Sequence, residues 1–262
     1  MRKNLLLMVV LLFAASAWAQ SLTLNSSGGW LESAFVKWRA VAGADSYNVY
    51  YSGEGVTNKK IDTQLIRNYG SYFRADVVGL KAGTYTLKVT AVTGGVEGES
   101  AETAALTVRA HDRTGFAFSN GRVPGAYKAD GTPKENAVVI YITEKTKNTV
   151  SLTVTGANAN PCVGLQAILD GFKKGKDTRP LIVRLVGQIT DPSYMLGGDI
   201  VIENNNNAAS YITFEGIGED AVADGWGIRV KNASNIEISN LGTMNCNSDE
   251  GDNIGLQQDN EY

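Results

Sequence analysis

The amino-acid sequence predicts an all-β protein with two unlike parts, an antiparallel β-sandwich followed by the opening coils of a β-solenoid. Short strands with alternating apolar residues and intervening turn signals fill residues 22–109, which is typical of a sandwich. The pattern changes near residue 110, and strand motifs beyond it recur at intervals of 24 to 28 residues. Recurrence at such intervals indicates a solenoid.

A hydrophobic leader precedes both parts and has the pattern of a secretory signal peptide over residues 1–19. Arg2 and Lys3 are followed by an apolar run over residues 5–15, and Ala17-Trp18-Ala19 fits a small-x-small cleavage site. We expect cleavage near Gln20 and a secreted, periplasmic or cell-surface location. No cysteine lies directly after the apolar run, where a lipoprotein would carry its lipid, and this disfavours a lipoprotein. No stretch reaches the ~20 apolar residues of a membrane span.

The composition disfavours several classes of function. Once the leader is removed, 22 basic and 27 acidic residues remain, a net charge of −5, whereas nucleic-acid binding calls for a basic stripe. The single histidine, His111, lies in a predicted linker, so Ser-His-Asp, Cys-His and histidine-zinc sites are not expected. Cys162 and Cys246 could pair in an oxidising compartment. We expect two buried thiols instead, because isolated cysteines often behave as small hydrophobes.

The predicted sandwich occupies residues 20–109. Its strands are expected at residues 35–38, 46–51, 84–92 and 101–108, with turns at Gly43-Ala44-Asp45 and Gly94-Gly95. Alternating aromatic residues such as Tyr47 and Tyr50 are typical of a packed strand face. A role as spacer or docking module is therefore favoured over carbohydrate binding for this part.

Three segments of this part resemble a fibronectin type III domain, namely Trp38, residues 47–50 and residues 80–89. In that family the tryptophan lies in the core, and a tyrosine after a Leu-x-Pro-Gly-Thr turn hydrogen-bonds to upstream backbone. Here Ala82 replaces the proline and Tyr85 comes one residue early. The resemblance implies a fibronectin type III-like sandwich.

Residues 110–125 contain Gly115, Gly121 and Pro124-Gly125 and are predicted to be a linker. The second part, residues 126–262, begins with expected strands at 137–142, 150–154 and 181–187. Between them, residues 164–172 have apolar side chains at helical spacing, which predicts a short helix.

The coil repeat follows. Ile200-Val201-Ile202 recurs at residues 228–230 and 254–256, and residues 211–217 recur at 235–241. A single coil cannot bury its apolar face, so stacked coils would share one core. Asparagines at 204–207 and at 232 lie between the strands, and asparagine tolerates the left-handed backbone of turns. We expect these side chains to stack on one another as a ladder.

An acidic turn after the second motif is the clearest sign of chemistry. Asp249, Glu250 and Asp252 place three carboxylates around Gly251. Hard oxygen ligands of this kind suit Ca²⁺, which takes about six to eight oxygens. Neighbouring coils, water or substrate would have to complete such a shell. An ordinary acidic surface turn is the alternative.

Five segments occur together in a recognisable order: Gly187-Gln188-Ile189, residues 211–218, residues 227–230, residues 235–241, and Glu250-Gly251-Asp252-Asn253-Ile254. Together they resemble the N-terminal part of a pectate lyase of the polysaccharide lyase 1 type, over roughly residues 115–262. The resemblance implies a right-handed parallel β-helix. It also implies that Glu250 and Asp252 match the acids of the family's calcium-binding Asp-Gly-Asp-x-Ile segment, with Glu in the first position.

The implied activity is that of a secreted, monomeric pectate lyase acting on polygalacturonate or a related pectin. Ca²⁺ would bridge the enzyme and a uronate carboxylate, and an arginine would remove a proton for β-elimination. In the family that arginine comes from later coils, whereas this sequence ends at Tyr262 inside an expected strand. We therefore expect a truncated fragment without lyase activity and assign no catalytic residue.

Arg179, Arg184 and Arg229 precede the acidic turn and match no catalytic position of that family. Two other functions remain open. A β-helix pectin hydrolase would use several aspartates as acid and base without a metal. A non-catalytic carbohydrate-binding or adhesin-like protein would use both parts for attachment outside the cell.

Overall fold

The structure is a computed structural model that describes residues 21–190, 198–246 and 252–257. Strands make up about half of these residues, with one short α-helix and two 3-10 helices. This content confirms the predicted all-β class. The expected leader, residues 1–19, lies outside the described residues. Within the described ranges, no helix is long and apolar enough to cross a membrane.

Residues 21–109, here called the antiparallel part, form two antiparallel sheets. The strands are β1 (Leu24–Gly29), β2 (Ser33–Trp38), β3 (Ser46–Gly53), β4 (Val56–Lys60), β5 (Ile66–Asn68), β6 (Phe73–Val78), β7 (Gly83–Thr93), β8 (Val96–Glu102) and β9 (Leu106–Val108). A 3-10 helix, Thr63–Leu65, joins β4 to β5. One sheet has the order β1-β2-β6-β5, and the other has the order β4-β3-β7-β8 with β9 beside β7.

The core of the antiparallel part lies between its two sheets. Alternate residues of β2, including Val36 and Trp38, are buried against Val49 of β3 and other inward residues, as the two-residue period of strands requires. The Tyr85 hydroxyl donates to the Lys81 carbonyl at 3.1 Å. The early position of this tyrosine therefore does not prevent a bond to upstream backbone.

The parallel part, residues 138–257, begins after a 3-10 helix at Phe116–Gly121. Its elements are β10 (Val138–Thr143), β11 (Ser151–Leu152), β12 (Cys162–Val163), α1 (Leu165–Lys173), β13 (Leu181–Thr190), β14 (Asp199–Ile202), β15 (Ile212–Asp224), β16 (Gly227–Lys231), β17 (Ile236–Ser239), β18 (Gly242–Met244) and β19 (Ile254–Gln257). Helix α1 confirms the predicted helix, whereas β11 is shorter than the strand expected there.

Two parallel sheets contain most of these strands. One has the order β10-β13-β15-β17 with β18 also on β15, and the other has the order β14-β16-β19. Ile228 pairs with Ile200 on one side and Ile254 on the other, and Ile212 pairs with Ile236. The recurring motifs are therefore parallel neighbours. Ile200, Ile212 and Ile228 lie in one apolar core against which Ile236 packs, whereas Ile254 of the last strand is 46% exposed.

The asparagine-rich segment between β14 and β15 forms turns. Asn205, Asn206 and Asn232 have positive φ values of 53°, 52° and 43°, as expected for asparagine in left-handed turns. The buried Asn204 amide, however, donates to the Ser234 carbonyl at 2.8 Å and accepts from the Ser234 N–H at 2.9 Å. The Asn204 side chain therefore bonds the Ser234 main chain and does not stack on another asparagine as expected. A carboxamide satisfies both backbone groups of the next coil's turn, which burial makes favourable.

Helix α1 covers the free edge of β14. The Gln166 side chain donates to the Val201 carbonyl at 3.1 Å and accepts from the Val201 N–H at 2.8 Å. This amide takes the place of a neighbouring strand at an edge that would otherwise expose unpaired backbone groups.

Replacing Gln166 by Leu is expected to lower the free energy of unfolding by about 2 kcal/mol, because both Val201 groups lose their partner in a buried setting. Gln166→Glu keeps an acceptor for the Val201 N–H but directs a buried carboxylate at the Val201 carbonyl and at Asp170, to both of which the Gln166 amide donates, so it should lose at least as much. Urea unfolding measures both variants. A Leu variant as stable as the wild type would contradict the assigned capping role.

The antiparallel and parallel parts are in direct contact. Val186 of β13 and Ile217 of β15 belong to the same apolar cluster as the core of the antiparallel part. A bulge in β15 places residues 218–221 opposite Gly187. The segment expected to be a linker is anchored as well, since Arg113 donates to the Glu32 carboxylate at 2.7 Å.

The two cysteines are free thiols. Cys162 is buried and Cys246 is half-buried. The expectation of unpaired cysteines is met, but only one of the two is fully enclosed.

Candidate functional site

Of the three carboxylates predicted to bind a metal, the structure describes Asp252. Asp249 and Glu250 lie outside the described residues. Asp252 is exposed and lies two residues before β19, the last strand of the β14-β16-β19 sheet. The structure therefore places one predicted ligand just before the third strand of this parallel sheet.

Matching positions on successive parallel strands are held by three residues, Asp199 on β14, Gly227 on β16 and Asn253 just before β19. Each stands directly before an isoleucine of the repeated motif. Asp199 pairs with Gly227 in the parallel register, and the Asn253 carbonyl accepts from the Ile228 N–H at 3.0 Å. Ile200 and Ile228 are buried, and the parallel register aligns the residues before the three isoleucines at one rim of the sheet.

Oxygen atoms converge over Gly227 at this rim. A Cβ atom on Gly227 would lie 2.6 Å from Asp199 Oδ1, 2.6 Å from the Asp252 carbonyl oxygen and 3.0 Å from the Asn253 carbonyl oxygen. Approaches below 3.0 Å are essentially absent for real Cβ atoms. Only glycine therefore allows the three oxygens to approach the main chain this closely at position 227.

Asp199 is held by its own partners. Its carboxylate accepts from the Arg229 guanidinium at 3.0 Å, and the aspartate side chain is only 4% exposed. The Cys246 thiol lies 3.9 Å from Asp199 Oδ1 and donates to the Asp252 carbonyl oxygen at 3.0 Å. Breaking a buried ion pair of this kind is costly, so Asp199 is first of all a partner for Arg229.

The described residues fit a calcium ion in part. The Asp252 carboxylate and the carbonyl oxygens around Gly227 are the hard ligands that Ca²⁺ takes. Among residues 21–190, 198–246 and 252–257, no three Asp, Glu, His or Cys side chains gather as a metal-binding group. A complete shell would need Asp249 and Glu250 in addition.

The three arginines that precede the acidic turn are all engaged. Arg179 Nε donates to Asp177 at 2.9 Å, Arg184 donates to Glu215 at 2.8 Å, and Arg229 pairs with Asp199. Each one therefore holds a carboxylate of its own coil or of a neighbouring coil.

A second polar cluster lies on the other parallel sheet. Tyr141, Arg184 and Glu215 are register neighbours on β10, β13 and β15, and Arg184 also donates to the hydroxyls of Tyr127 and Tyr141 at 3.0 Å each. Burial, and next the charge of Glu215, hold the pKa of Tyr127 well above its usual value. The Arg184 side chain is 7% exposed, so this cluster is internal.

Sequence reasoning found Asp252 but missed Asp199, Gly227 and Cys246. One available signal was the shared position of Asp199, Gly227 and Asn253 before the recurring isoleucines. No comparable signal marks Cys246, which reaches the rim through a turn. A buried polar role for Arg184 could have been predicted, because this arginine interrupts the apolar run of β13.

Comparisons with known proteins found only weak structural similarity. No protein family model matches the sequence, and no curated protein matches it. Two crystal structures of the pectate lyase Pel3 from Pectobacterium carotovorum are weakly similar. One shares 11% identity at a TM-score of 0.21, over 84% of this chain and 67% of that chain. The other shares 12% identity at a TM-score of 0.18, over 82% of this chain and 72% of that chain. Likeness at these TM-scores carries no argument about fold or function.

Proposed function

We propose that this chain is a secreted protein of the pectate lyase type that binds polygalacturonate or a related pectin through calcium. In this proposal a fibronectin type III-like sandwich spans residues 20–109 and a right-handed parallel β-helix spans residues 126–262. Asp249, Glu250 and Asp252 are the proposed calcium ligands. The leader at residues 1–19 would direct export.

The observation that carries the proposal is the place of Asp252. Asp252 is exposed at one end of three paired parallel strands, where its main-chain carbonyl oxygen is one of the oxygens that converge over Gly227 and its carboxylate lies beside Gly255. The order of the five family-like segments along the chain adds support, because it puts the acidic turn directly before the third coil strand.

The chain's own residues have distinct proposed tasks. Bound calcium would supply positive charge that neutralises a uronate carboxylate. Asp252 is exposed and therefore able to reach a ligand from solvent. Gly227 lets the oxygens of Asp199, Asp252 and Asn253 approach the main chain, and the Arg229–Asp199 ion pair joins β16 to β14.

Replacing Asp252 by Asn is expected to weaken calcium binding on the order of tenfold or more, because a charged ligand becomes neutral. Calorimetric titration with calcium measures this effect. Asp112→Asn, at an exposed position remote from the turn, is the matched control and should bind like the wild type. Equal calcium affinities for the wild type and the Asp252 variant would refute the site.

Polysaccharide assays separate the rival functions. Calcium-dependent binding of polygalacturonate, lost in Asp252→Asn, would support the proposal, and release of unsaturated uronides would identify lyase chemistry. New reducing ends without unsaturated product would indicate a metal-free hydrolase. Binding that needs no calcium would indicate an adhesin-like protein.

A further inference from the structure

A small polar cavity of about 90 Å³ lies between the antiparallel part and the β10-β13-β15-β17 sheet. Three carboxylates line it, those of Glu32 in the β1–β2 turn, Glu215 of β15 and Glu237 of β17. A cavity of this size and polarity holds a few water molecules. It is separate from the acidic turn, since none of its lining residues belongs to β14, β16 or β19.

The Glu237 carboxylate differs from the other two in its partners. Glu32 and Glu215 each accept from a guanidinium, at 2.7 Å and 2.8 Å respectively. Glu237 is half-buried and accepts from the neutral Thr213 hydroxyl at 2.9 Å. Within the described residues, no lysine or arginine forms an ion pair with Glu237. A carboxylate in such a place is costly to ionise, because burial removes water and no cation replaces it.

Residues 123–127, here called the strap, pass close to this carboxylate. The Ala126 N–H donates to the Thr213 hydroxyl at 2.7 Å, so two successive hydrogen bonds connect the strap main chain to Glu237. Gly125 has a positive φ of 73°, and a Cβ atom there would lie 2.5 Å from Glu237 Oε2. The strap therefore closes directly over the carboxylate, with no room for a side chain between them.

Lys134 holds the same strap without pairing with Glu237. Its ammonium donates to the Val123 carbonyl at 2.7 Å and to the Gly125 carbonyl. It also lies 3.9 Å from the centroid of the Tyr211 ring. The cation is thus bound to main-chain oxygens and to an aromatic face.

The charges around Glu237 come from several elements. The titratable and charged groups that face it are Glu32, His111, Arg113, Tyr127, Lys134, Arg184 and Glu215. Burial raises the pKa of Glu237 above its ordinary value, although the Thr213 hydrogen bond and the charge of Arg113 oppose this shift. The neighbouring carboxylates act in the same direction as burial.

We propose that Glu237 is a pH-sensitive switch that controls how often the strap opens. With a protonated carboxyl group the strap stays closed over the cavity. An ionised carboxylate needs water, and the strap has to open to admit it. The stabilisation of the closed strap is complete below the pKa that the carboxyl group has when the strap is open. It is lost as the pH rises through the higher pKa of the closed state.

Hydrogen exchange of the buried Ala126 amide tests this switch in the full chain. Wild type and Glu237→Gln are compared at the same pH, so that the intrinsic pH dependence of exchange cancels. Near about pH 4 the two should exchange alike, because both side chains are then neutral. Near about pH 7 the wild type should exchange faster, on the order of tenfold for each unit by which closure raises the pKa. Burial lowers the pKa of Lys134 to about 8, so its ammonium stays mostly charged over this range.

Two controls separate the switch from a general change in stability. Glu135→Gln makes the same chemical change at an exposed position and should exchange like the wild type at both pH values. The Val201 amide, bonded to Gln166 beside the other sheet, should exchange alike in wild type and Glu237→Gln. Equal Ala126 exchange in these two proteins at about pH 7, or slower exchange in the wild type, would overturn the proposal. Neither calcium nor polysaccharide is present, so the outcome is independent of the proposed function.

Discussion

Replacing Arg184 by Met is expected to lower the free energy of unfolding by about 3–5 kcal/mol, because it leaves the buried Glu215 carboxylate without its cation. The Arg184 and Glu215 side chains are 7% and 12% exposed, respectively. Burial disfavours the charge of Arg184, yet Tyr127 and Glu215 outweigh it, so the pKa of the guanidinium lies above its usual value. The neighbouring tyrosine hydroxyls would also lose a donor.

Urea unfolding of three variants tests this assignment. Arg184→Met combined with Glu215→Leu should recover much of the lost stability, because no buried charge is then left unpaired. Arg39→Ala, at an exposed arginine, should stay within about 0.5 kcal/mol of the wild type. A loss below about 1 kcal/mol in Arg184→Met would show that the pair is not a structural anchor.

Replacing Asp76 by Ala is expected to lower the free energy of unfolding by about 3 kcal/mol, because two buried guanidiniums lose their shared carboxylate. Asp76 accepts from Arg67 and Arg74, whose side chains are 9% and 5% exposed. Burial disfavours the charge of Arg67, but Asp76 more than compensates and the pKa of Arg67 is raised. Without Asp76, the two cations would repel each other.

This cluster also joins the two parts of the molecule. Arg74 reaches Glu219 in the β15 bulge, and the Tyr69 hydroxyl donates to Asp220 at 2.7 Å. Asp76→Ala should therefore broaden or split thermal unfolding followed by tryptophan fluorescence and circular dichroism. Glu219→Gln is the matched control: the Glu219 side chain is 67% exposed, and exposed pairs contribute at most about 1 kcal/mol. A larger loss for Glu219→Gln than for Asp76→Ala would contradict the assignment.

The local features of the chain could be predicted without the structure. Alternation along β2, β3 and β7 predicted strands because side chains of a strand point to opposite faces every second residue. The motif at 200–202, 228–230 and 254–256 predicted neighbouring coils because a repeated apolar pattern has to bury the same face each time. Asn205 and Asn232 in left-handed turns follow from the chemistry of asparagine itself.

The fit between the two parts could not be predicted. Val186 and Ile217 looked like solenoid strand residues, yet they pack into the core of the antiparallel part. Glu32 and Arg113 are 81 residues apart in the chain and pair across the junction. Such contacts depend on how two sheets meet in space, and no local pattern encodes that geometry.

At the candidate site, too, local features could be predicted from the sequence and contacts between distant residues could not. The sequence by itself determined that Asp249, Glu250 and Asp252 place three carboxylates within four consecutive positions of the chain. Only the tertiary structure decided that Asp199, Gly227 and Cys246 surround Asp252. Their approach requires the parallel register of β14, β16 and β19, in which Ile228 pairs with both Ile200 and Ile254. Only the pairing of these strands likewise makes Gly227 the position where a side chain cannot fit.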